Sequence, residues 1–236
     1  MPSPSCNAPP PERHEAWAKR PGATARVWPS EQMIRLLCRS LPEAQRGAMT
    51  AVDVGCGNGR NAIALPALGF GRVIAIDPSQ TLVDVCRQAA VDAGCVIDAR
   101  CGTLPSLPCE DDSADVVIAW GVMYVLGDTA AVRDAMSELT RVLRPGGLLI
   151  ADWRADGDHL LKFAGPRIDE RTVEMSGDAP LNLAGATYSF WNGESVRHLH
   201  DEAGFELCDM QCEEIFDALN DCRYRWWQTC AKICKS

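Results

Sequence analysis

The sequence has 236 residues, 47% of them apolar, which is enough for one large α/β domain with a full core. Its net charge is −9 with a pI of about 4.9, and no Lys/Arg-rich run appears, which argues against a nucleic-acid partner because phosphates call for a basic face. No run of about 18 apolar residues exists to span a membrane, and the Pro-rich start from Met1 to Pro11 lacks the apolar core of a signal peptide, so the expected location is the cytoplasm.

Residues 1–14 read as a disordered tail, since proline blocks helix and ladder alike. A single domain is expected over 15–236. Its first stretch mixes Trp17, Arg20, Pro21, Gly22, Arg26 and Trp28 in an irregular arm. Two Trp are costly to leave in water, so the arm should dock, either on a ligand crevice or simply on the domain surface. Ser30 caps a helix through about Ser40, and Pro42 ends it.

Ala48 to Val54 is an apolar run that reads as a buried strand with Asp53 near its end. Gly55, Gly57 and Gly59 follow at alternate positions, with Cys56 and Asn58 between them, and then a helical stretch from about Asn61 to Leu68. A strand, a glycine turn and a helix make a place where backbone approaches a ligand closely. Unpaired N–H groups at a helix start favour negative charge. A dinucleotide fingerprint would need its third glycine at position 60, and that residue is Arg60.

Arg72 to Asp77 reads as a second buried strand, ending in a carboxylate. A crossover brings its carboxyl end to the same crevice as the glycine turn. There Asp77 can accept two hydrogen bonds from a ribose diol, or it can cap the next helix, with Pro78 in the first turn. Helical spacing covers Thr81 to Ala93, and Cys95 to Arg100 is a short third strand. Cys101 to Ser113 is a loop, Asp115 to Trp120 a fourth strand, Thr129 to Leu143 an amphipathic helix, and Leu148 to Trp153 a fifth strand.

Arg154 to Phe190 breaks the alternation and is too long for a simple connection. Its charges, among them Asp158, His159, Asp169 and Glu174, either bind a polar small molecule or form a solvated face. A helix from Asn192 to Ala203 and two strands, Glu206–Ile215 and Tyr224–Ile233, complete the chain. His198 and His200 lie on opposite sides of that helix and read as surface or half-buried residues rather than catalytic bases. The 12 cysteines form no C-x-x-C pair. They read as reduced thiols acting as small apolar residues, and no metal site is expected.

Four signals occur in a fixed order: Asp53-Val-Gly-x-Gly-x-Gly59, the strand-terminal Asp77, the loop beginning at Gly102, and Leu143-Arg-Pro-Gly-Gly147 before the fifth strand. Over about Ala48 to Trp153 this order resembles the class I S-adenosylmethionine (SAM)-dependent methyltransferases. The resemblance implies a Rossmann-like three-layer sandwich. Its seven-stranded sheet would be mostly parallel, with an antiparallel last strand and a lid inserted over 154–190. It implies SAM as cofactor, leaving as S-adenosylhomocysteine. The pocket would comprise Asp53, Gly55, Cys56, Gly57, Asn58, Gly59, Asp77, Pro78, Thr103, Leu104 and Trp120.

Thr103 stands where the family often has an acid for the adenine amino group; a hydroxyl or backbone group would substitute, and Leu104 would pack on the purine. Tyr124 stands where many relatives carry His, as a substrate-orienting hydroxyl or a packed aromatic. Trp28 and Arg154 are the other candidate acceptor contacts. The expected activity is methyl transfer to an O or N atom of a small molecule, with neither nucleic acid nor membrane as partner. Two alternatives are a thiol or metalloid acceptor using the cysteines, and a SAM-binding partner protein without turnover. Oligomeric state is not legible.

Overall fold

The computed structural model describes residues 15, 18, 19, 27–180 and 183–235; the tail and Trp17, Arg20, Pro21, Gly22 and Arg26 of the arm lie outside them. In chain order the elements are α1 (Glu31–Ser40), α2 (Glu43–Arg46), β1 (Thr50–Val54), α3 (Ala64–Ala67), β2 (Arg72–Asp77), α4 (Gln80–Asp92), β3 (Asp98–Cys101), β4 (Ala114–Ala119), α5 (Thr129–Val142), β5 (Leu143–Arg154), β6 (Ala164–Arg167), β7 (Thr172–Met175), β8 (Thr187–Ser189), α6 (Gly193–Glu202), β9 (Phe205–Asp217) and β10 (Cys222–Ile233).

The side chains of the central strands explain the layering. Val52, Val54, Ile74, Ile76, Val117 and Leu149 pack against α5 and α6 through Leu139, Val196 and Leu199. Their neighbours Ala51, Val73, Ala75, Val116, Ile118 and Ile150 pack on the other side against α1 and α4, through Met33, Leu37 and Cys86. Strands buried on both faces read as continuous apolar runs, as these do. The seven-stranded sheet has the order β3-β2-β1-β4-β5-β10-β9. β1 to β5 are parallel, and β10 runs antiparallel to both β5 and β9, as the expected sheet requires. The strand order reverses between β1 and β4, so a crevice opens at their carboxyl ends. Ser30, Ser79, Asp128 and Asn192 each cap a helix by accepting a backbone N–H three residues on, an interaction of about 1 kcal/mol.

Several boundaries differ from expectation. The helix after the glycine turn is only Ala64–Ala67, where Asn61–Leu68 was expected. Pro66 has no N–H and crowds the carbonyl four residues back, and the preceding residues turn through Ala64 N–Asn61 O and Leu65 N–Ala62 O instead. Any ligand here therefore meets the N–H groups of the turn rather than the dipole of a long helix. β1 starts at Thr50, and β3 is shifted to Asp98–Cys101. β5 already begins at Leu143, which pairs with Ala114 before the register slips to Val116–Leu148.

His200 also departs from its expected surface or half-buried position: it is fully buried between Trp153 and Phe205, with Nδ1 against the Val196 carbonyl at 2.7 Å. Burial pulls its pKa down. His198 is exposed.

The excursion after β5 is not a solvated loop. Its strands form a three-stranded antiparallel sheet in the order β6-β7-β8. Leu160, Val173, Met175, Tyr188 and Phe190 pack a separate apolar cluster onto Tyr124. Ser189 N donates to the Tyr124 carbonyl, which ties this small sheet to the loop after β4.

Candidate active site

The chain reverses at the end of β1. Gly55 N and Cys56 N both donate to the Ile76 carbonyl of β2, at 2.7 and 3.0 Å, and Gly59 N donates to the Cys56 carbonyl at 2.9 Å. All three glycines take positive φ: 68° at Gly55, 55° at Gly57 and 82° at Gly59. A Cβ on Gly55 would stand 2.4 Å from Val122 Cγ2, and one on Gly59 2.5 Å from Cys86 Sγ. A Cβ on Gly57 would meet nothing within 4 Å. The outer glycines thus allow close packing, while the middle one borders open space.

Asp77 turns its carboxylate onto this bend. Its Oδ2 accepts from Gly57 N and its Oδ1 from Ser79 N, both at 2.9 Å. The helix cap is Ser79, not Asp77, because the Ser79 hydroxyl accepts from Leu82 N. Burial raises the Asp77 pKa, and the two backbone donors oppose the shift. A carboxylate has about four acceptor sites, and the described residues fill two of them. Next to it, Glu15 of the arm accepts the Ser79 hydroxyl at 3.0 Å.

Asp53 lies on the same face of the sheet as Asp77, fully buried. Burial pushes its pKa up to about 7 against the pull of Arg60 and the Ala62 N–H. Its Oδ2 has no hydrogen-bond partner among the described residues. The loop after β3 closes the far wall, as Gly102 N donates to the Asp77 carbonyl at 3.1 Å. Leu104 is buried there, and the Thr103 hydroxyl donates to the Leu104 carbonyl. Pro78 stands at the rim, its carbonyl accepting the Cys101 thiol.

The opposite wall begins where β4 ends, at half-buried Trp120. Asp152 of β5 is buried and accepts the Gly121 N–H. Burial raises its pKa to about 7, against Arg154 and Arg60. Beyond it, the Arg154 guanidinium lies 5.2 Å from the Tyr124 ring centre and 4.4 Å from that of Trp226, and pairs with Asp158 at 3.0 Å. Tyr124 is itself buried, 5.5 Å from the ring of Tyr188. Trp28 meets the site through its backbone, because its carbonyl accepts from Arg60 Nη1 while the residue is 81% exposed. Ser30 N donates to Asn61 Oδ1 at 3.0 Å, so the end of the arm docks on the glycine turn.

Residues 52–151, the strands and turns that build this crevice, match the model of the family described as methyltransferase domain. Over these residues the chain is similar to the methyltransferases. The chain is 31% identical over 170 residues to a ubiquinone biosynthesis O-methyltransferase of Methylobacterium sp. (strain 4-46), covering 62% of this chain and 66% of that protein. It is 33% identical over 184 residues to the tRNA (carboxymethyluridine(34)-5-O)-methyltransferase ALKBH8 of Mus musculus, covering 76% of this chain and 25% of that protein. The chain thus spans less than two thirds of the length of the curated relatives it matches. Its fold is that of the Burkholderia thailandensis 1,6-didemethyltoxoflavin-N1-methyltransferase, whose structure holds S-adenosylhomocysteine. The TM-score is 0.62 at 16% identity, over 95% of this chain and 83% of that one.

The crevice has the features that SAM would use. The open cradle at Gly57 admits backbone contact, and among the described residues Asp77 keeps acceptor positions open beside it. Sequence reasoning missed Glu15, Arg60 and Asp152. Asp152 carried a readable signal, since an acid ending an apolar strand is what singled out Asp77. Glu15 carried none, because its place depends on how the arm folds back.

Proposed function

We propose that this methyltransferase moves the methyl group of SAM to an O or N atom of a small-molecule acceptor. The observation that carries the reading is the Asp77 carboxylate on Gly57 N, which joins a diol acceptor to a glycine cradle in one crevice. The turn residues Gly55, Cys56, Gly57, Asn58 and Gly59, with Asp53 beneath them, would hold the amino-acid end of the cofactor. Asp77 and Pro78 would hold the ribose, Thr103 and Leu104 the adenine, and Trp120 would flank the sulfonium. Tyr124, Arg154, Trp28 and the small sheet over 154–190 would surround the acceptor, in a single domain over 15–236.

SAM supplies an electrophilic methyl group. The chain's own part is to place a nucleophile about 3 Å away, in line, with water kept out. Asp152 is suited to take the acceptor's proton, because a base works best with a pKa near the operating pH. The net charge of −9 supports a small acceptor over a nucleic acid, and a cytoplasmic setting accords with the free thiols. No helix of the described residues is long and apolar enough to cross a membrane. A metalloid acceptor would need three thiols around one atom; among the described residues no cluster of three or more metal-ligating side chains occurs. A SAM-binding partner without turnover would leave Asp152 idle at the strand end.

Calorimetric titration with S-adenosylhomocysteine tests the cofactor site, and no binding at about 1 mM rejects it. A metabolite extract incubated with labelled SAM, followed by mass spectrometry of the methylated product, tests the acceptor class. Label found only on sulfur or arsenic would replace the O/N reading.

A further inference from the structure

Arg154 ends β5 and is buried, with 8% of its surface exposed. Three segments grip it. Trp226 pairs with it from β10, and Tyr124 comes from the loop after β4. The guanidinium carbon lies over both rings, 4.4 Å from the centre of the first and 5.2 Å from that of the second. Asp158, where the excursion after β5 begins, accepts from Nη1 at 3.0 Å. Two rings and a carboxylate leave the guanidinium little freedom to turn.

The grip uses one corner of the group. Arg154 Nε is buried without a hydrogen-bond partner, and Nη2 makes no hydrogen bond among the described residues. Arg46 shows the usual state of a buried arginine: its Nε, Nη1 and Nη2 all donate, to the carbonyls of Leu41 and Leu68. In Arg154 the unpaired atoms are neighbours. Nε and Nη2 form the side edge of the guanidinium, two parallel N–H donors that match the two oxygens of a carboxylate. Asp158 does not serve that edge. Its Oδ1 accepts from Leu160 N, and its Oδ2 is shared between Arg154 Nη1 and Arg225 N.

The edge belongs to the candidate site by register. Arg154 follows Asp152 by two residues on one strand, so both side chains leave the same face of β5, about 7 Å apart along it.

We propose that the side edge of Arg154 is the carboxylate subsite of the acceptor, so that the substrate is a small carboxylic acid methylated at a hydroxyl or amine remote from its carboxyl group. The proposal rests on the reading that Asp152 takes the acceptor's proton. The acceptor's O or N lone pair forms the bond to the methyl carbon, the S–C bond gives its pair to sulfur, and the proton passes to Asp152. The carboxylate stays on Arg154 throughout, and the product keeps it free. A span of about 7 Å between the two residues fits an aromatic or extended acid, and is too long for a hydroxyl or amine on the α-carbon. Asp152 and Asp158 both stand near Arg154, so a singly charged carboxylate is better tolerated than a doubly charged phosphate. Entry requires the small sheet to lift from Tyr124, a motion of the kind that admits substrates beneath lids.

The test starts from a metabolite extract incubated with the full chain and labelled SAM. Labelled products are coupled to an amine with a carbodiimide, and the mass gain counts free carboxyl groups. We expect the labelled product to carry at least one, with the methyl group elsewhere. A product without a carboxyl group, one bearing only phosphate, a methyl ester, or a label on an α-substituent overturns the proposal. The acid so found is then compared with its primary amide. The natural chain should favour the acid at least about tenfold in kcat/KM, mainly through KM. Arg154→Met with Asp158→Asn should erase that preference, whereas a merely structural role would slow acid and amide alike and leave their ratio unchanged. If this double variant does not fold, Arg154→Lys keeps the charge without the fork and should raise KM for the acid about tenfold; an unchanged KM overturns the subsite. An extract that yields no labelled product overturns the methyl-transfer reading instead, and the subsite falls with it.

Discussion

Asp77 Oδ2 accepts the Gly57 N–H at 2.9 Å, so the end of one strand is clasped to the turn that follows its neighbour. The clasp fixes the spacing between the diol-binding carboxylate and the glycine cradle before any ligand arrives. Preorganisation of this kind lowers the ordering cost of binding.

Asp77→Ala removes a charged acceptor and leaves Gly57 N and Ser79 N without their partner. S-adenosylhomocysteine affinity should fall by about 1.5–3 kcal/mol, read by calorimetry. An unchanged affinity would mean that the ribose lies elsewhere.

The glycines should separate packing from ligand contact. Gly59→Ala places a methyl on Cys86 Sγ at a φ of 82°, which should cost about 2–4 kcal/mol in chemical denaturation. Gly57→Ala meets open space and carries only the strain of a φ of 55°, about 1–2 kcal/mol. Its larger effect should be on cofactor affinity. Equal stability losses would contradict this division.

Asp53 and Asp152 both titrate near pH 7 in the folded chain, raised from an ordinary carboxylate value of 3.8 by burial. Between about pH 4 and pH 7 the folded form keeps protons that the unfolded form has released. Stability should therefore fall as pH rises through that window. Asp152→Asn still accepts the Gly121 N–H but holds no charge, so it should flatten the fall and be the more stable protein at pH 8. Urea denaturation at pH 5, 6, 7 and 8 measures this, and parallel curves for the two proteins would count against it.

Arg154→Ala leaves the Asp158 carboxylate buried without its guanidinium partner, although Leu160 N and Arg225 N still donate to it. Breaking a buried pair on one side costs about 3–5 kcal/mol. Replacing both, as Arg154→Met with Asp158→Asn, should cost less than the single change. Chemical denaturation of the three variants against the natural chain checks the order.

The order of elements, the glycine turn and the placing of Asp77 beside it were legible in the residues. Alternation of apolar side chains assigns strand faces, and glycine is the residue that tolerates positive φ in a bend. The antiparallel last strand came with the family resemblance. The same alternation left His200 misplaced, because a helix with two plausible faces does not say which one meets the sheet. It also passed over Asp152, whose meaning comes from the register of β5 on β4.

The sequence by itself determined which segments become strands, where the backbone bends, and which strand ends carry acid. Those are short-range properties, set by side-chain period and by the backbone freedom of single residues. Only the tertiary structure decided which distant groups share a site: Asp152 with Gly121, Glu15 with Ser79, and Arg154 with Tyr124 and Trp226. Such meetings depend on register and crossover packing, which many residues set jointly and no local pattern encodes.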